Sequence, residues 1–202
     1  MDVKQLPPGR VIEAVDVLCE AFVDYPVMRF VIGRGGSAYV PLLRTLIHFF
    51  TVARFLRNDV VLAATAAEDE VVATANVVLP GERMAPAALE KERDAVWGKL
   101  GDAARRRYEA YGEASRKFDI KQPHYHLAMV GVRRSHTGRG LARALLDALH
   151  EMSRRDSRSC GVTLNTEDPR NVSIYEHLGY QVIGQTQISN DLRTWSFYRA
   201  DE

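Results

Sequence analysis

Residues 130–142 read Val-Gly-Val-Arg-Arg-Ser-His-Thr-Gly-Arg-Gly-Leu-Ala. A β-rich tripeptide runs into a polar, basic loop, and Gly138 and Gly140 then open a segment with helical periodicity that extends to Arg155. The apolar residues of this segment share one helix face: Leu141, Ala144, Leu145, Ala148, Leu149 and Met152. The stretch therefore predicts a strand, a loop and an amphipathic helix over Gly138–Arg155.

The start of this helix is suited to bind an anion. The first turn of a helix has N–H groups without partners, and the helix dipole places partial positive charge there. Glycines allow a ligand to approach the backbone closely, so successive N–H groups can cradle a pyrophosphate. Four arginines add positive charge around the loop: Arg133, Arg134, Arg139 and Arg143. The alternative is an ordinary amphipathic helix whose arginines are merely solvated.

Two familiar phosphate-binding motifs do not match this loop. A dinucleotide fingerprint requires a third glycine, but Arg143 occupies that position, and no Gly-Lys-Ser/Thr of a P-loop follows.

The stretch is flanked by strands at 124–132 and 162–165, and this strand–helix–strand unit implies a parallel strand pair. The rest of the chain predicts a strand at 3–6, helices at 9–24 and 37–56 and a hairpin at 60–79. It also predicts two or three helices within 86–117, broken near glycines, a short helix at 171–178, and strands at 181–188 and 194–199. Pro26 is predicted to stop the first helix, and residues 33–36 to form a loop.

Length and composition indicate one soluble globular domain. The chain has 202 residues, of which 46% are hydrophobic and 26% charged, and a formal net charge of +1. Such a balanced charge argues against a protein that coats nucleic acid. Two cysteines, no signal peptide and no apolar run near the ~20 residues of a membrane span predict a cytoplasmic protein that does not use a membrane.

Val132–Ala142 resembles the acetyl-coenzyme A motif of GNAT-type N-acetyltransferases, V-x-P-x-x-[QR]-G-x-G-x-[GA]. Val132, Gly138, Gly140 and Ala142 match, whereas Arg134 replaces the proline and Thr137 replaces the Gln or Arg. The second departure removes a side chain but leaves the backbone cradle.

Residues 164–180 strengthen the resemblance. They are similar to the family's L-x-T…N-x-x-x-Y-x-x-x-G-[FY] segment, with Asn171, Tyr175, Gly179 and Tyr180 in register. The likeness covers about Tyr125 to Tyr198. The residues around His124–Leu127 and Arg193–Trp195 look like the branch that contains puromycin N-acetyltransferase.

The resemblance implies one N-acetyltransferase domain over residues 1–202, with a helical insertion at about 86–118. It implies an α/β fold with a mixed, mostly antiparallel sheet, a splayed parallel pair and flanking helices. The implied activity is direct transfer of an acetyl group from acetyl-coenzyme A to a primary amine of a small molecule, without a metal. Two alternatives remain: a non-catalytic acyl-coenzyme A sensor, or an acetyltransferase for protein amines. Relatives of this branch often pair through terminal strands, so the resemblance allows a homodimer but leaves the oligomeric state open.

The resemblance also implies roles for individual residues. The backbone of Val130, Gly131 and Val132 would run beside the pantetheine arm and the amides following Thr137 would hold the pyrophosphate, while Asn171 and Asn165 would contact the cofactor. The implied pyrophosphate-binding loop comprises Thr137, Gly138, Arg139, Gly140, Leu141, Ala142 and Arg143.

Two residues are candidates for proton transfer. Tyr175 would lie near the thioester sulfur and protonate the leaving thiolate. Without Asn171 and Gly179 in register, Tyr175 would be interpreted as an ordinary aromatic residue of an amphipathic helix. Because an amine is mostly protonated at pH 7, a base is needed, and His126 occupies the position of a carboxylate in several relatives. The alternative for His126 is a strand histidine that faces a helix. The aromatic residues of the insertion either wall an amine pocket or pack in the core: Trp97, Tyr108, Tyr111 and Phe118.

Overall fold

The computed structural model describes residues 2–33, 36–81 and 84–201. Gly35 of the predicted loop lies outside these ranges. The strands and helices follow in the order β1 (Val3–Gln5), α1 (Val11–Phe22), α2 (Pro26–Ile32), α3 (Tyr39–Leu56), β2 (Val60–Thr65), β3 (Val71–Val78), α4 (Ala87–Leu100), α5 (Asp102–Ser115), β4 (Tyr125–Val132), α6 (Leu141–Arg155), β5 (Gly161–Thr166), α7 (Val172–His177), β6 (Gln181–Ser189) and β7 (Leu192–Ala200).

The strands form one mixed sheet of the order β1-β2-β3-β4-β5-β7-β6. The pair β4–β5 is parallel, and the other neighbouring pairs are antiparallel. The parallel pairing runs only from Tyr125 opposite Val162 to Leu127 opposite Leu164, and beyond that level the two strands separate. The predicted fold, a mostly antiparallel sheet with a splayed parallel pair, is confirmed.

A β-bulge in β4 coincides with the point of separation. Leu127 pairs with Val77 of β3, but the next pair joins Met129 to Asn76, so Ala128 is the extra residue. The bulge changes which face the following side chains take. Leu127 packs in the cluster on the α6 face, whereas Met129 packs in the cluster with α1 and α3.

Two layers of helices cover the sheet. On one face, α6 packs its leucines against β3, β4 and β5, because Leu141, Leu145 and Leu149 are all buried. On the other face, α1, α2 and α3 form a second core, which the insertion joins through Leu89, Val96 and Trp97 of α4. The splayed region therefore lies between two apolar layers.

The helix α2 was not predicted. Pro26 separates it from α1, as expected, but the proline is also the first residue of the new helix, where its missing N–H costs no hydrogen bond. The prediction that Pro26 ends the first helix is therefore confirmed, and what the sequence did not reveal is that the same residue begins a second helix.

Two predictions about glycines also need correction. The cofactor-loop helix begins at Leu141 rather than Gly138, since Gly138 and Gly140 both adopt φ +74°, outside the right-handed helical region. In the insertion, only Gly101 separates helices, with φ +83°, whereas Gly98 and Gly112 lie inside α4 and α5.

Within the described residues, α3 is the helix that is long and apolar enough to cross a membrane by length and composition. Its residues Leu43, Leu46 and Ile47 are fully buried in the core with α1 and α2. A core helix of a globular domain meets the same test, so packing accounts for the composition of α3.

Candidate active site

A cavity of about 950 Å³ passes through the sheet where β4 and β5 separate. Its walls come from both helical layers: Ala142, Leu146 and Ile174 on the α6–α7 side, and Met28, Phe50 and Tyr111 on the α2–α5 side. One ligand can therefore enter from one face of the sheet and meet a second ligand bound on the other.

The loop before α6 presents a row of open hydrogen-bond donors. No backbone N–H from Gly138 to Arg143 donates to any part of the chain that the structure describes, whereas the N–H of Ala144 bonds to the carbonyl of Gly140 at 2.9 Å. A Cβ added at Gly138 or Gly140 would meet nothing within 4 Å. These donors at a helix N-terminus fit a diphosphate.

The arginines around this loop fall into two groups. Arg133 is drawn toward α1 and the β2–β3 hairpin, with its guanidinium 3.4 Å from Glu20 and 3.3 Å from Glu70. The backbone N–H of Arg134 bonds to Glu20 at 2.6 Å. Arg139 and Arg143 are exposed beside the open amides, so the predicted positive charge at the cradle rests on these two.

A smaller hollow of about 290 Å³ adjoins the cradle. Val130, Gly131, Val132, Thr137 and Ala142 line it, so it links the loop to the free edge of β4. Beyond Leu127, this edge of β4 does not pair with β5. Its backbone groups can therefore form hydrogen bonds with a ligand that lies alongside as an added strand. The Thr137 hydroxyl is not directed at a ligand, since it donates to the carbonyl of Arg134 at 2.9 Å.

Gly131 allows α1 to pack directly on β4. A Cβ there would lie 2.9 Å from Ala21 Cβ, closer than real Cβ atoms approach another atom, and a tight 3.1 Å from Leu18 Cδ2. The glycine therefore fixes the position of α1, and through it the end of the cavity that Phe22 and Tyr25 line.

Tyr175 lines the cavity with its hydroxyl free. Its ring is only 9% exposed and packs on Tyr180 and Phe197, with ring centroids 5.9 and 5.6 Å away. The hydroxyl makes no hydrogen bond to the described part of the chain, so it is available to a ligand in the cavity. Burial, with a contribution from the Glu167 carboxylate, raises the pKa of Tyr175 to about 12, so the phenol is protonated at neutral pH.

Asn165 and Asn171 line the same cavity. The amide nitrogen of Asn165 donates to Ser196 Oγ at 2.9 Å, and that of Asn171 donates to Thr166 Oγ1 at 3.1 Å. Both amides are therefore oriented by neighbours on β5 and β7, which suits groups that hold a bound chain in place.

His126 also lines the cavity and points away from the α6 face. Its Nδ1 lies 3.0 Å from Thr163 Oγ1. Removal from solvent, with smaller contributions from the nearby His124 and Arg54, lowers the pKa of His126 to about 4. The imidazole is thus neutral at pH 7 and only weakly basic.

Glu167, which follows β5 directly, is the cavity residue that sequence reasoning missed. It is 5% exposed, and its Oε1 accepts hydrogen bonds from Thr194 Oγ1 at 2.8 Å and from the Tyr111 hydroxyl at 3.1 Å. Its backbone N–H bonds to the Tyr25 hydroxyl at 3.2 Å. Burial raises the pKa of Glu167, the hydrogen bonds from Thr194 and Tyr111 offset part of that rise, and the resulting pKa is about 7. A carboxylate directly after an apolar strand was the available signal.

The insertion contributes to both the cavity and the core. Tyr108 and Tyr111 line the cavity, and Trp97 supports Tyr108 with a ring-centroid distance of 5.1 Å. Phe118 packs elsewhere, against Gly184 of β6. Tyr108 and Tyr111 therefore wall the cavity, whereas Trp97 packs in the core and Phe118 against β6.

Comparison with known proteins identifies the family of the protein. The sequence model described as "Acetyltransferase (GNAT) domain" matches residues 82–197, more than half of the chain. The fold resembles a structure described as histone acetyltransferase HPA2 and related acetyltransferase from Corynebacterium glutamicum, with 22% identity, coverage of 99% of this chain and 96% of that one, and a TM-score of 0.69. It also resembles arylalkylamine N-acetyltransferase 2 from Aedes aegypti, with 12% identity, coverage of 100% and 99%, and a TM-score of 0.70.

A third similar structure is the NatB acetyltransferase complex bound to CoA and MES, with 11% identity, full coverage of both chains and a TM-score of 0.55. The chain belongs to the GNAT acetyltransferase family, whose members use acetyl-coenzyme A. The open amides of Gly138–Arg143 and the adjoining hollow fit that coenzyme, since together they offer donors for a diphosphate and room for a pantetheine arm.

Proposed function

We propose that the protein transfers an acetyl group from acetyl-coenzyme A to a primary amine of a small molecule. The observation that carries this proposal is the cavity through the sheet, which joins the donor cradle on the α6 side to a chamber on the α2–α5 side. The size of the cavity is that of a small-molecule site, and its lining is mainly apolar with a few polar groups.

The chain's own groups suit each requirement of the reaction. Acetyl-coenzyme A supplies an activated acyl group as its thioester. The amides of Gly138–Arg143 hold the diphosphate, and a backbone N–H of β4 near Val130 stabilises the negative charge that develops on the carbonyl oxygen. The Tyr175 hydroxyl donates a proton to the departing sulfur.

The chamber favours a small acceptor with an apolar body. Its walls include Phe22, Met28, Phe50, Tyr108 and Tyr111, and the helices of the insertion cover it. Aromatic walls bind an aryl or alkyl group well, whereas a peptide would also require partners for its backbone groups. The resemblance of residues 124–127 and 193–195 to the puromycin N-acetyltransferase branch agrees with such an acceptor.

Further expectations from the sequence remain predictions. They are a cytoplasmic location, a possible homodimer, and a reaction without metal, nucleic acid or membrane.

Thiol release across an amine panel tests the function. The protein is incubated with acetyl-coenzyme A and arylalkylamines, polyamines, amino acids or peptides with a free N-terminus, and amine-free reactions correct for hydrolysis. We expect thiol release with arylalkylamines and little with peptides. Release with peptides alone would identify a protein acetyltransferase, and coenzyme binding without release in any arm would identify a sensor.

A further inference from the structure

We propose that Glu167 is the general base that accepts the proton of the acceptor amine. This inference rests on the proposed function and assigns a residue to it. It is carried by the position of Glu167 in the cavity, by the side chains that hold its carboxylate, and by the absence of a cation paired with it among residues 2–33, 36–81 and 84–201.

The strand register places Glu167 at the level of the reaction. Leu127 and Leu164 form the last pair between β4 and β5, and Val130 and Glu167 each follow three residues later, although the bulge at Ala128 shortens the advance along β4 by one residue. The two residues therefore lie at similar depth, on opposite sides of the gap. His126 pairs with Thr163, four residues before Glu167, which corresponds to about 13 Å along the strand direction.

Three contacts hold Glu167, two at its carboxylate and one at its backbone N–H. Thr194 of β7 and Tyr111 of α5 donate hydrogen bonds to Oε1, and the Tyr25 hydroxyl, before α2, accepts from the Glu167 backbone N–H. Tyr111 itself is held at the cavity wall on the insertion. These contacts make Thr194 and Tyr111 positioning residues for Glu167.

The groups around Glu167 keep the pKa of its carboxylate near neutral pH. The titratable groups that face it are the phenols of Tyr25, Tyr111 and Tyr175, each with a raised pKa, so all three are uncharged at pH 7. The adjacent Asp168 is paired with Arg170, with Nη2 and Oδ2 2.6 Å apart. The pKa of Glu167 therefore lies near neutral pH, where a general base for an amine is most effective.

The proton balance is complete with groups on the chain. The C–N bond forms as the amine nitrogen attacks the acetyl carbon, and the C–S bond breaks. The ammonium form of the acceptor loses two protons in all. Glu167 takes the first and releases it to solvent, while Tyr175 protonates the sulfur and recovers the second.

The pH dependence of kcat/KM in matched variants tests the assignment. The wild-type protein should show a rising limb with an apparent pKa near that of Glu167, about 7. Glu167→Gln should lose the limb and about 10²–10⁴-fold in kcat, with coenzyme A affinity unchanged. Glu176→Gln, on the exposed side of α7, is the control and should behave as wild type.

Tyr111→Phe separates catalysis from a structural role. Loss of its hydrogen bond removes a contact that favours the charged carboxylate, so the rising limb should move to higher pH. A Glu167→Gln variant that keeps both rate and limb would overturn the assignment, as would loss of the limb in His126→Asn but not in Glu167→Gln.

The pH dependence of folding stability tests the assignment without an acceptor amine. A carboxyl whose pKa is higher in the folded protein than its ordinary 4.5 contributes stability below that value, and this contribution is lost as pH rises through the folded pKa. Between about pH 5 and about pH 8, wild type should therefore lose stability relative to Glu167→Gln. Identical pH profiles of unfolding would overturn the proposal, whereas absence of turnover in wild type with this difference intact would count against the proposed function alone.

Discussion

Tyr175→Phe is expected to lower kcat by about 10²–10³-fold while coenzyme A affinity stays within about twofold of wild type. The substitution removes only the hydroxyl, which bonds to no described residue, and leaves the ring packed between Tyr180 and Phe197. Without this proton donor the sulfur must leave as a free thiolate. Steady-state kinetics and calorimetric binding of coenzyme A measure the two quantities.

Tyr180→Phe is the matched control for this prediction. The Tyr180 hydroxyl lies 2.7 Å from His150 Nε2 in the core, away from the cavity lining. Its loss should cost about 1–3 kcal/mol of stability, since a buried partner is left unsatisfied, but should not lower kcat. Wild-type turnover by Tyr175→Phe would contradict the role of the phenol, whichever way the control behaves.

Ala142→Trp is expected to weaken coenzyme A binding by at least about 100-fold, or about 2.8 kcal/mol. Ala142 lines both hollows, at the junction between the donor cradle and the passage through the sheet. An indole there would fill the space that the pantetheine arm needs. Isothermal titration with coenzyme A measures the effect.

Ala103→Trp, on the exposed side of α5, controls for adding an indole to a helix. It should bind coenzyme A as wild type does, and both variants should keep a cooperative thermal transition. Unchanged affinity in a folded Ala142→Trp protein would mean that the coenzyme does not take this path.

The fold could be predicted from local patterns because its elements are amphipathic. The helical spacing of Leu141, Leu145 and Leu149, and the strand–helix–strand order around them, led to the mixed sheet. The helix that begins at Pro26 was missed because a proline ends one helix and equally suits the start of another. Gly138 and Gly140 were assigned to the helix because their positive φ angles are not encoded by hydrophobic periodicity.

The site could be predicted only where its residues are close in sequence. The cradle and Tyr175 follow from two short motifs. Glu167 was missed because its environment comes from distant residues, Tyr111 on the insertion and Thr194 on the last strand. The depressed pKa of His126 likewise depends mainly on its burial in the folded protein and to a smaller extent on His124 and on Arg54 of α3, and no local spacing reveals that burial.

A crystal structure of the protein with coenzyme A tests the proposed site most directly. We expect the diphosphate on the backbone amides of Gly138–Arg143, the pantetheine arm beside Val130–Val132, and the thiol between β4 and the Tyr175 hydroxyl. Coenzyme bound outside the gap between β4 and β5, with the amides of this loop bonded within the protein, would contradict the proposed site.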